Sequence, residues 1–293
     1  MKNNVILVVN PISGDVDKSD LIDEVAFFAE KENLNLVIYN TSGVSDSDNI
    51  KALYATYAPK RIIVAGGDGT IKMVAEAMET LDVIIGILPA GSANGLAVDL
   101  NLPSGISENL EIAFQNDYME IDMVSINGKK SIHLSDLGIN AEMIKNYENS
   151  SIRGKWGYAL QTVNTLIDLE DPFIATITGD FPTIECEARM IVIANSQKYG
   201  TGVSINPNGI MDDGKFELVI LKNMDLVVLG KIITGNMPID VEIISTDKAF
   251  ITTNIPVSFQ IDGEYCGTET KLVIEILPKQ MKVAIPNPPI QII

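Results

Sequence analysis

A glycine-rich pentapeptide, Gly66-Gly67-Asp68-Gly69-Thr70, is the feature that most constrains this chain. An apolar run at residues 62–65 precedes it and apolar residues with helical spacing follow at 71–78, which predicts a strand, a tight turn and a helix starting at Thr70. Glycines accept positive φ, so we expect the backbone to fold back sharply and gather N–H groups at the helix end, where phosphate binds. Asp68 would repel phosphate there, which indicates an intervening Mg²⁺. A sharp turn without a ligand is the alternative.

Length and charge limit the classes of protein that this chain can represent. With 293 residues, 46% of them hydrophobic, it is long enough for two domains with real cores. The 21 basic and 39 acidic residues give a net charge of −18, which argues against a general nucleic-acid binder. Cys186 and Cys266 are far apart and lack a CxxC partner, which fits a reducing compartment. The first ten residues show no secretory signal, so a cytoplasmic location is expected.

The first 118 residues alternate between strand and helix patterns, which predicts an α/β nucleotide-binding domain with a doubly wound parallel sheet. Ligands of such sheets bind at the carboxyl ends of the strands. Four loops rich in Gly, Ser, Thr and Asn would line that edge and favour a nucleotide cleft, although the same residues are also ordinary helix N-caps. The predicted strands are 5–9, 34–39, 61–65 and 83–88; the loops are 10–14, 41–43, 66–70 and 91–95.

Residues 119–278 have a different pattern, with β-prone runs separated by short polar or glycine loops. This predicts an antiparallel β-sandwich domain, interrupted by one helix at Tyr158–Leu169. The predicted strands are 119–126, 131–139, 174–178, 184–194, 216–221, 249–253, 257–261 and 272–277.

Three motifs in order give the chain a specific resemblance. Asn10-Pro11-x-Ser13-Gly14, the glycine pentapeptide, and Gly86-Ile87-Leu88-Pro89-Ala90-Gly91-Ser92-Ala93-Asn94 resemble the successive motifs of the diacylglycerol kinase catalytic-domain family. That family includes bacterial lipid kinases and the sphingosine and ceramide kinases. Bacterial members often have Thr and Asp where this chain has Ser92 and Gly95. This form of the motif is closer to the sphingosine kinase pattern, which leaves the acceptor lipid open.

The resemblance implies ATP- and Mg²⁺-dependent phosphorylation of a lipid hydroxyl, diacylglycerol or a related lipid. It implies that Asp68 joins the ATP phosphates through Mg²⁺ and water, and that Glu264, in an Asp-Gly-Glu motif, is the proton acceptor. His133 is the only histidine and lies in an apolar strand, so a carboxylate base is expected on composition as well. The implied nucleotide-binding residues are Asn10, Thr41, Gly66, Gly67, Asp68, Gly69, Thr70, Ser92 and Asn94.

Two further sites are implied by the resemblance. Asp213 would bind a structural Mg²⁺ together with the carbonyl groups of Ile210 and Lys215, whereas a plain hairpin turn is the alternative for this Asp-Asp-Gly loop. Asp122 would lie near the acceptor lipid, and a solvent-facing strand residue is its alternative. The resemblance also implies that residues 279–293 return toward the first domain.

The expected partner is a lipid at a membrane surface, bound peripherally and transiently. Because the chain is strongly acidic, a local patch of Arg153, Lys155, Trp156 and Tyr158 is the candidate for docking, unless Trp156 packs in the core. The alternative functions are a sphingoid-base kinase, a soluble-substrate kinase that resembles NAD kinase, and a nucleotide- or lipid-binding protein without turnover. A homodimer is left open.

Overall fold

The chain divides into two units in the computed structural model, which describes residues 2–138, 172–198, 204–223 and 241–287. The first unit is Met1–Ile121 with Lys279–Ile293, and the second is Asp122–Pro278. The predicted helix at Tyr158–Leu169 and the predicted docking patch around Trp156 lie outside the described residues. Within the described part of the chain, no helix is long and apolar enough to cross a membrane.

Four parallel strands form the sheet of the first unit in the order β4-β3-β1-β2. Helices make the crossovers between them, as parallel connections require. The predicted doubly wound parallel sheet is therefore confirmed. The strands are β1 (Asn4–Val9), β2 (Asn35–Asn40), β3 (Arg61–Gly66) and β4 (Ile84–Pro89); the helices are α1 (Ser19–Lys31), α2 (Asp46–Tyr57), α3 (Asp68–Met78), α4 (Gly95–Asp99) and α5 (Ile106–Gln115).

The burial of these strands explains why they read as continuous apolar runs. β1, β3 and β4 are buried along almost their whole length, whereas β2 is partly exposed at the edge of the sheet. Helix α5, which the sequence does not predict, packs on β4 so closely that a Cβ on Gly86 would lie 2.6 Å from the carbonyl oxygen of Ala113. The ring of Phe114 in α5 lies 5.0 Å from that of Phe28 in α1. Helices α1 and α5 thus pack together over the sheet, and because the four strands are parallel their carboxyl ends lie at one edge.

The second unit is built from antiparallel strands around a separate apolar core, which confirms the predicted class. The strands run in the order β12-β11-β10-β7-β13-β14, with β8 beside β13, β9 beside β8, and β5 beside β14 and β6. They are β5 (Tyr118–Ile126), β6 (Lys129–Ser131), β7 (Leu134–Gly138), β8 (Phe173–Gly179), β9 (Ile184–Ala188), β10 (Met190–Ala194), β11 (Phe216–Leu221), β12 (Val241–Thr246), β13 (Lys248–Ile261) and β14 (Glu264–Ala284).

Four strand predictions in this unit are wrong in detail. The run 131–139 is divided, since β6 ends at Ser131 and β7 begins at Leu134. The run 184–194 forms two strands that are separated at Arg189, and the runs 249–253 and 257–261 form the single strand β13. A register shift between Thr252 and Val257 interrupts the pairing of β13 with β14, which accounts for the break in its sequence pattern. The sequence does not predict β12.

The end of β14 belongs to the first unit. Lys282 pairs with Ile84 and Val283 with Ile85 in a parallel ladder on the free side of β4. The ammonium group of Lys282 also contacts the Asp82 carboxylate at 2.5 Å. The sheet of the first unit therefore receives its last strand from residues near the end of the chain.

Candidate functional site

The glycine pentapeptide forms a direct junction between β3 and α3. The sequence predicts positive φ at its glycines and a helix from Thr70, and both expectations are wrong, since α3 begins at Asp68 and none of the three glycines has positive φ. Gly67 precedes the helix in an extended conformation, with φ −98° and ψ −175°. The absence of side chains matters instead for close contact, because a Cβ on Gly66 would lie 2.8 Å from the Thr70 side chain.

The loop after β4 packs directly on this junction. A Cβ on Gly91 would collide with the Cα of Gly67, and the N–H of Ala90 donates to the carbonyl of Gly66 at 2.9 Å. Asn94, in the left-handed region at φ 53°, donates from its side chain to the Gly91 carbonyl at 3.0 Å and accepts the Gly91 N–H at 2.8 Å. The Asn94 amide thus shapes the loop that presents Ser92, which is exposed.

Asp68 joins the second motif to the third. Its Oδ2 accepts the N–H of Gly95 at 2.7 Å and its Oδ1 accepts the N–H of Leu96 at 3.0 Å, so the carboxylate caps the start of α4. Each carboxylate oxygen has a second lone pair, so the group retains capacity for a cation. Asp68 therefore has a structural role in addition to its predicted role at Mg²⁺.

The loop after β1 is tied to both of the other motifs. Asn10 donates from its side-chain amide to the Thr70 hydroxyl at 3.0 Å, and Ser13 donates from its hydroxyl to the Ala90 carbonyl at 2.8 Å. Gly14 has φ 69° and lies against the same carbonyl, which a Cβ would approach to 3.0 Å. The three motifs are thus brought together at the carboxyl edge of the sheet.

Lys18 supplies a buried positive charge beneath this loop, which the sequence analysis missed. Its side chain is 5% exposed, and its ammonium group donates to the carbonyls of Ser13 and Val16. A lysine between Asp17 and Ser19 looks like an ordinary exposed residue in the sequence. Only the fold of the loop over its side chain reveals that it holds the β1 loop.

The loop after β2 is organised by Asp46, a second residue that the sequence does not single out. Thr41 donates its N–H to the carbonyl of Val9. The buried Asp46 carboxylate accepts the Tyr39 hydroxyl at 2.6 Å. It also accepts the N–H groups of Ser42 and Gly43, at 2.9 and 2.7 Å. Burial raises the pKa of Asp46, but these hydrogen bonds outweigh it and leave the pKa below its ordinary value. Burial, and the hydrogen bond to the Asp46 carboxylate, raise the pKa of Tyr39.

In the second unit, Glu264 follows a two-residue turn between β13 and β14. Asp262 and Gly263 have φ values of 50° and 87°, as a type I′ turn requires, and Glu264 pairs with Ile261. The Asp262 carboxylate accepts the Ser131 hydroxyl at 2.8 Å and two backbone N–H groups, those of Ile132 and His133. The turn is therefore fixed to the segment between β6 and β7.

A buried pair of polar side chains supports the same turn. Gln260 accepts the N–H of Gly263 at 2.7 Å and donates to the Asp136 carboxylate at 2.5 Å; the two side chains are 1% and 0% exposed. Glu264 itself is exposed. A rigid backbone thus presents an accessible carboxylate, and the sequence indicates neither Gln260 nor Asp136 as its support.

Asp122 lies in β5 and contacts the loop before β11, whereas Asp213 lies within that loop. Asp122 is 1% exposed, so its solvent-facing alternative is wrong; its Oδ2 accepts the Gly214 N–H at 2.7 Å. Asp213 is exposed and accepts the N–H of Lys215 at 3.0 Å, which is a local turn contact, and Ile210 is 53% exposed. Among the described residues no cluster of three or more His, Cys, Asp or Glu side chains could hold a metal ion. Mg²⁺ at Asp213 would therefore depend on backbone carbonyls.

Comparison with known families agrees with this construction. A model of the diacylglycerol kinase catalytic domain matches residues 4–126, and a model of the YegS C-terminal NAD kinase beta sandwich-like domain matches residues 135–285. The chain belongs to the diacylglycerol kinase catalytic-domain family and carries a YegS-type second domain. It is a lipid kinase by class.

Individual relatives support the same assignment at low identity. A Staphylococcus haemolyticus protein named as a lipid kinase is 27% identical over 76% of this chain and 75% of its own length. A Yersinia pestis protein named as YegS-like lipid kinase is 25% identical over 98% of both. A Bacillus anthracis crystal structure described as a diacylglycerol kinase has a TM-score of 0.79 at 21% identity over 97% of both chains, which shows the fold. A second one has a TM-score of 0.78 at 23% identity over 97% of both chains.

Asp68→Asn is expected to destabilise the first unit as well as to lower activity. The amide places an NH₂ group against one of the two backbone donors, so one charge-assisted hydrogen bond is lost, at a cost of about 1.5–3 kcal/mol. Urea unfolding of the variant measures this cost. Asp48→Asn is the control, because Asp48 also lies in the first turn of a helix but is exposed. Equal stability of parent and Asp68→Asn would contradict the capping role.

Asp46→Asn is expected to change the pH dependence of stability. Since the pKa of Asp46 is lowered by folding, its ionised form stabilises the protein above the unfolded-state pKa of about 3.9, and this stabilisation is lost as pH falls through the lower folded-state value. The gap in urea midpoint between parent and variant should therefore be largest near neutral pH and should shrink below about pH 4. A gap that stays constant down to pH 2 would show that the charge of Asp46 contributes nothing.

Proposed function

We propose that this lipid kinase transfers the γ-phosphate of ATP to the hydroxyl group of diacylglycerol or a related lipid. The observation that carries the proposal is the joining of three motif loops at one sheet edge, through Asp68 with Gly95 and Leu96, Asn10 with Thr70, and Ser13 with Ala90. No single glycine loop would have this specificity.

The nucleotide phosphates would bind at the start of α3. The first backbone bonds of this helix run from the N–H groups of Thr70 and Ile71 to Gly67, so the N–H groups of Asp68 and Gly69 lie ahead of them. Backbone donors and the positive helix end attract phosphate without a basic side chain, which suits an acidic chain. Lys18 adds a positive charge under the neighbouring loop, where it holds Ser13.

The residues present fit a magnesium ion at the phosphates. Asp68 is a carboxylate, the ligand type that Mg²⁺ prefers, and its second lone pairs are compatible with a direct or water-mediated contact. When bound, Mg²⁺ would neutralise charge on the β- and γ-phosphates. Thr41, Ser92 and Asn94 would contact the nucleotide, with Asn94 acting through the shape of its loop.

Glu264 would accept the proton of the lipid hydroxyl. As the hydroxyl oxygen forms its bond to the γ-phosphorus, the bond from phosphorus to the bridging oxygen breaks, ADP leaves, and the hydroxyl proton passes to the Glu264 carboxylate. The rigid type I′ turn and the exposure of Glu264 support this assignment. Asp122 would act on the lipid side only indirectly, because its buried carboxylate holds the loop at Gly214.

A soluble-substrate kinase remains the second candidate. The description of the second domain as NAD kinase beta sandwich-like favours it, whereas the lipid-kinase form of the third motif favours a lipid. Sphingoid bases are an alternative lipid class, because the Gly-Ser-x-Asn form of the third motif, at residues 91–94, resembles the sphingosine kinase pattern. On the main proposal the protein meets its substrate peripherally and transiently at a membrane surface.

The proposal is tested by a screen of acceptors with ATP and Mg²⁺. Detergent-dispersed diacylglycerol, monoacylglycerol and a sphingoid base, and NAD⁺ in solution, are compared by transfer of labelled γ-phosphate, with EDTA as the metal-free control. Labelled lipid in the presence of Mg²⁺ supports the proposal. Labelling of NAD⁺ alone would replace it by the second candidate, and phosphate release that needs no acceptor would refute transfer.

Glu264→Gln is expected to lower kcat by about 10²–10⁴-fold while leaving the KM for ATP unchanged, because a base acts on the hydroxyl and not on nucleotide binding. Thermal stability should not change, since the side chain is exposed. Glu275→Gln is the matched control, as Glu275 is an exposed carboxylate on the same strand. A loss of ATP affinity in Glu264→Gln would place Glu264 at the nucleotide instead.

A further inference from the structure

Three buried oxygen atoms in the second unit lack a hydrogen-bond partner and belong to neighbouring residues. They are Oδ1 of Asn195, Oγ of Ser196 and Oδ1 of Asn206, on side chains that are 1%, 0% and 0% exposed. Buried polar atoms are nearly always paired in folded proteins, and an unpaired one is costly. Three unpaired buried oxygen atoms in neighbouring residues indicate a bound ligand.

The hydrogen bonds of the Asn195 and Asn206 side-chain amides show which of their atoms are left unpaired. Asn195 donates from Nδ2 to the carbonyls of Asp122 and Ile132, at 2.8 and 3.2 Å. Asn206 donates from Nδ2 to the carbonyl of Ser196 at 3.2 Å and to the Glu217 carboxylate at 2.7 Å. Because both NH₂ groups face acceptors, neither amide can be flipped without loss, and the unpaired amide atoms are acceptors. The Ser196 hydroxyl can also accept, so a ligand that binds oxygen would satisfy all three atoms.

The backbone holds these residues in one neighbourhood. Asn195 and Ser196 follow β10, and the amide of Asn206 lies against Ser196. Gly209 lies against two of them, since a Cβ there would be 2.5 Å from Nδ2 of Asn206 and 2.9 Å from the carbonyl oxygen of Ser196. Glu217 is the register partner of Ala194, the residue before Asn195.

Glu217 supplies a buried negative charge to this neighbourhood. It is 6% exposed, and its two oxygens accept only neutral donors, the Ser245 hydroxyl at 2.9 Å and the Asn206 amide. Among the described residues no lysine or arginine pairs with it. A buried carboxylate without a positive partner favours a cation nearby.

We propose that Asn195, Ser196 and Asn206 bind a hard cation through these three oxygens, with the charge balanced by Glu217. Amide and hydroxyl oxygens with one carboxylate are the donor set of calcium-type sites and offer nothing to soft metals. This site is distinct from the predicted Mg²⁺ position at Asp213 and does not depend on the proposed function. It would join the end of β10 to the loop that precedes β11.

Ser196→Ala tests the site, because the hydroxyl makes no hydrogen bond that its loss could break. The experiment is done in an Asp213→Ala background, so that the other predicted metal position is absent. In that background about 10 mM CaCl₂ or MgCl₂ should raise the melting temperature by about 5 °C relative to EDTA, as for any ligand that binds only the folded state. Adding Ser196→Ala should leave the melting temperature in EDTA unchanged or higher. It should remove more than half of the cation-dependent rise in melting temperature.

Ser135→Ala is the matched control, since Ser135 is equally buried but donates its hydroxyl to Ser131. This change should lower the melting temperature in EDTA and leave the cation-dependent rise intact. Elemental analysis of dialysed protein should find one Ca²⁺ or Mg²⁺ per chain in the Asp213→Ala background and less with Ser196→Ala.

Two results would overturn the proposal. One is the absence of any cation-dependent rise and of bound metal in the Asp213→Ala background. The other is an effect of Ser196→Ala that is equal in EDTA and in CaCl₂, which would indicate that the three oxygens bind buried water.

Discussion

The contact between the Asp68 carboxylate and the first N–H groups of α4 is the interaction on which the candidate nucleotide site depends. It connects two loops that are 27 residues apart along the chain and lets a single side chain set the distance between them. The same approach is possible only because Gly67 and Gly91 have no side chains where their backbones meet. On the proposed function, Asp68 would serve both the bound Mg²⁺ and the geometry of the loops. A loss of activity in an Asp68 variant therefore has to be separated from a loss of loop geometry.

Much of the fold follows from local patterns in the sequence. The central strands of the first unit are continuous apolar runs because helices cover the sheet, so the strands and their parallel arrangement are predictable. Their order in the sheet is seen only in the structure. Helix α5 and strand β12 are not predicted. α5 has an amphipathic pattern, with buried Leu110, Ala113 and Phe114 at helical spacing, so its sequence does contain the signal for a helix. β12 pairs along the edge of β11 and is only partly buried, which leaves a weaker pattern.

The site itself is predictable only in part. Glycine, Asp, Ser and Asn in three ordered motifs identify the loops that meet, but not how each side chain is used. Asp46 and Lys18 are not predicted because nothing in the local sequence distinguishes them from ordinary exposed residues. Each side chain is buried under a loop only in the folded structure, where it stabilises that loop. Asp136 and its support of Gln260 are not predicted for the same reason, since the hydrogen bond between these two side chains spans 124 residues of chain. Long-range hydrogen bonds of this kind have no sequence period.

The pairing of Lys282 with Ile84 has a consequence for how the first unit is made. On a ribosome the chain is synthesised from its N-terminus, so β1 to β4 emerge long before residues 279–284. Until then the outer side of β4 is an unpaired strand edge, and an exposed apolar edge is a template for pairing with other chains. The ladder also closes a loop of about two hundred residues, and such non-local pairings form late. During synthesis the first unit is thus the first to emerge, but its sheet is completed only when this last strand has been made.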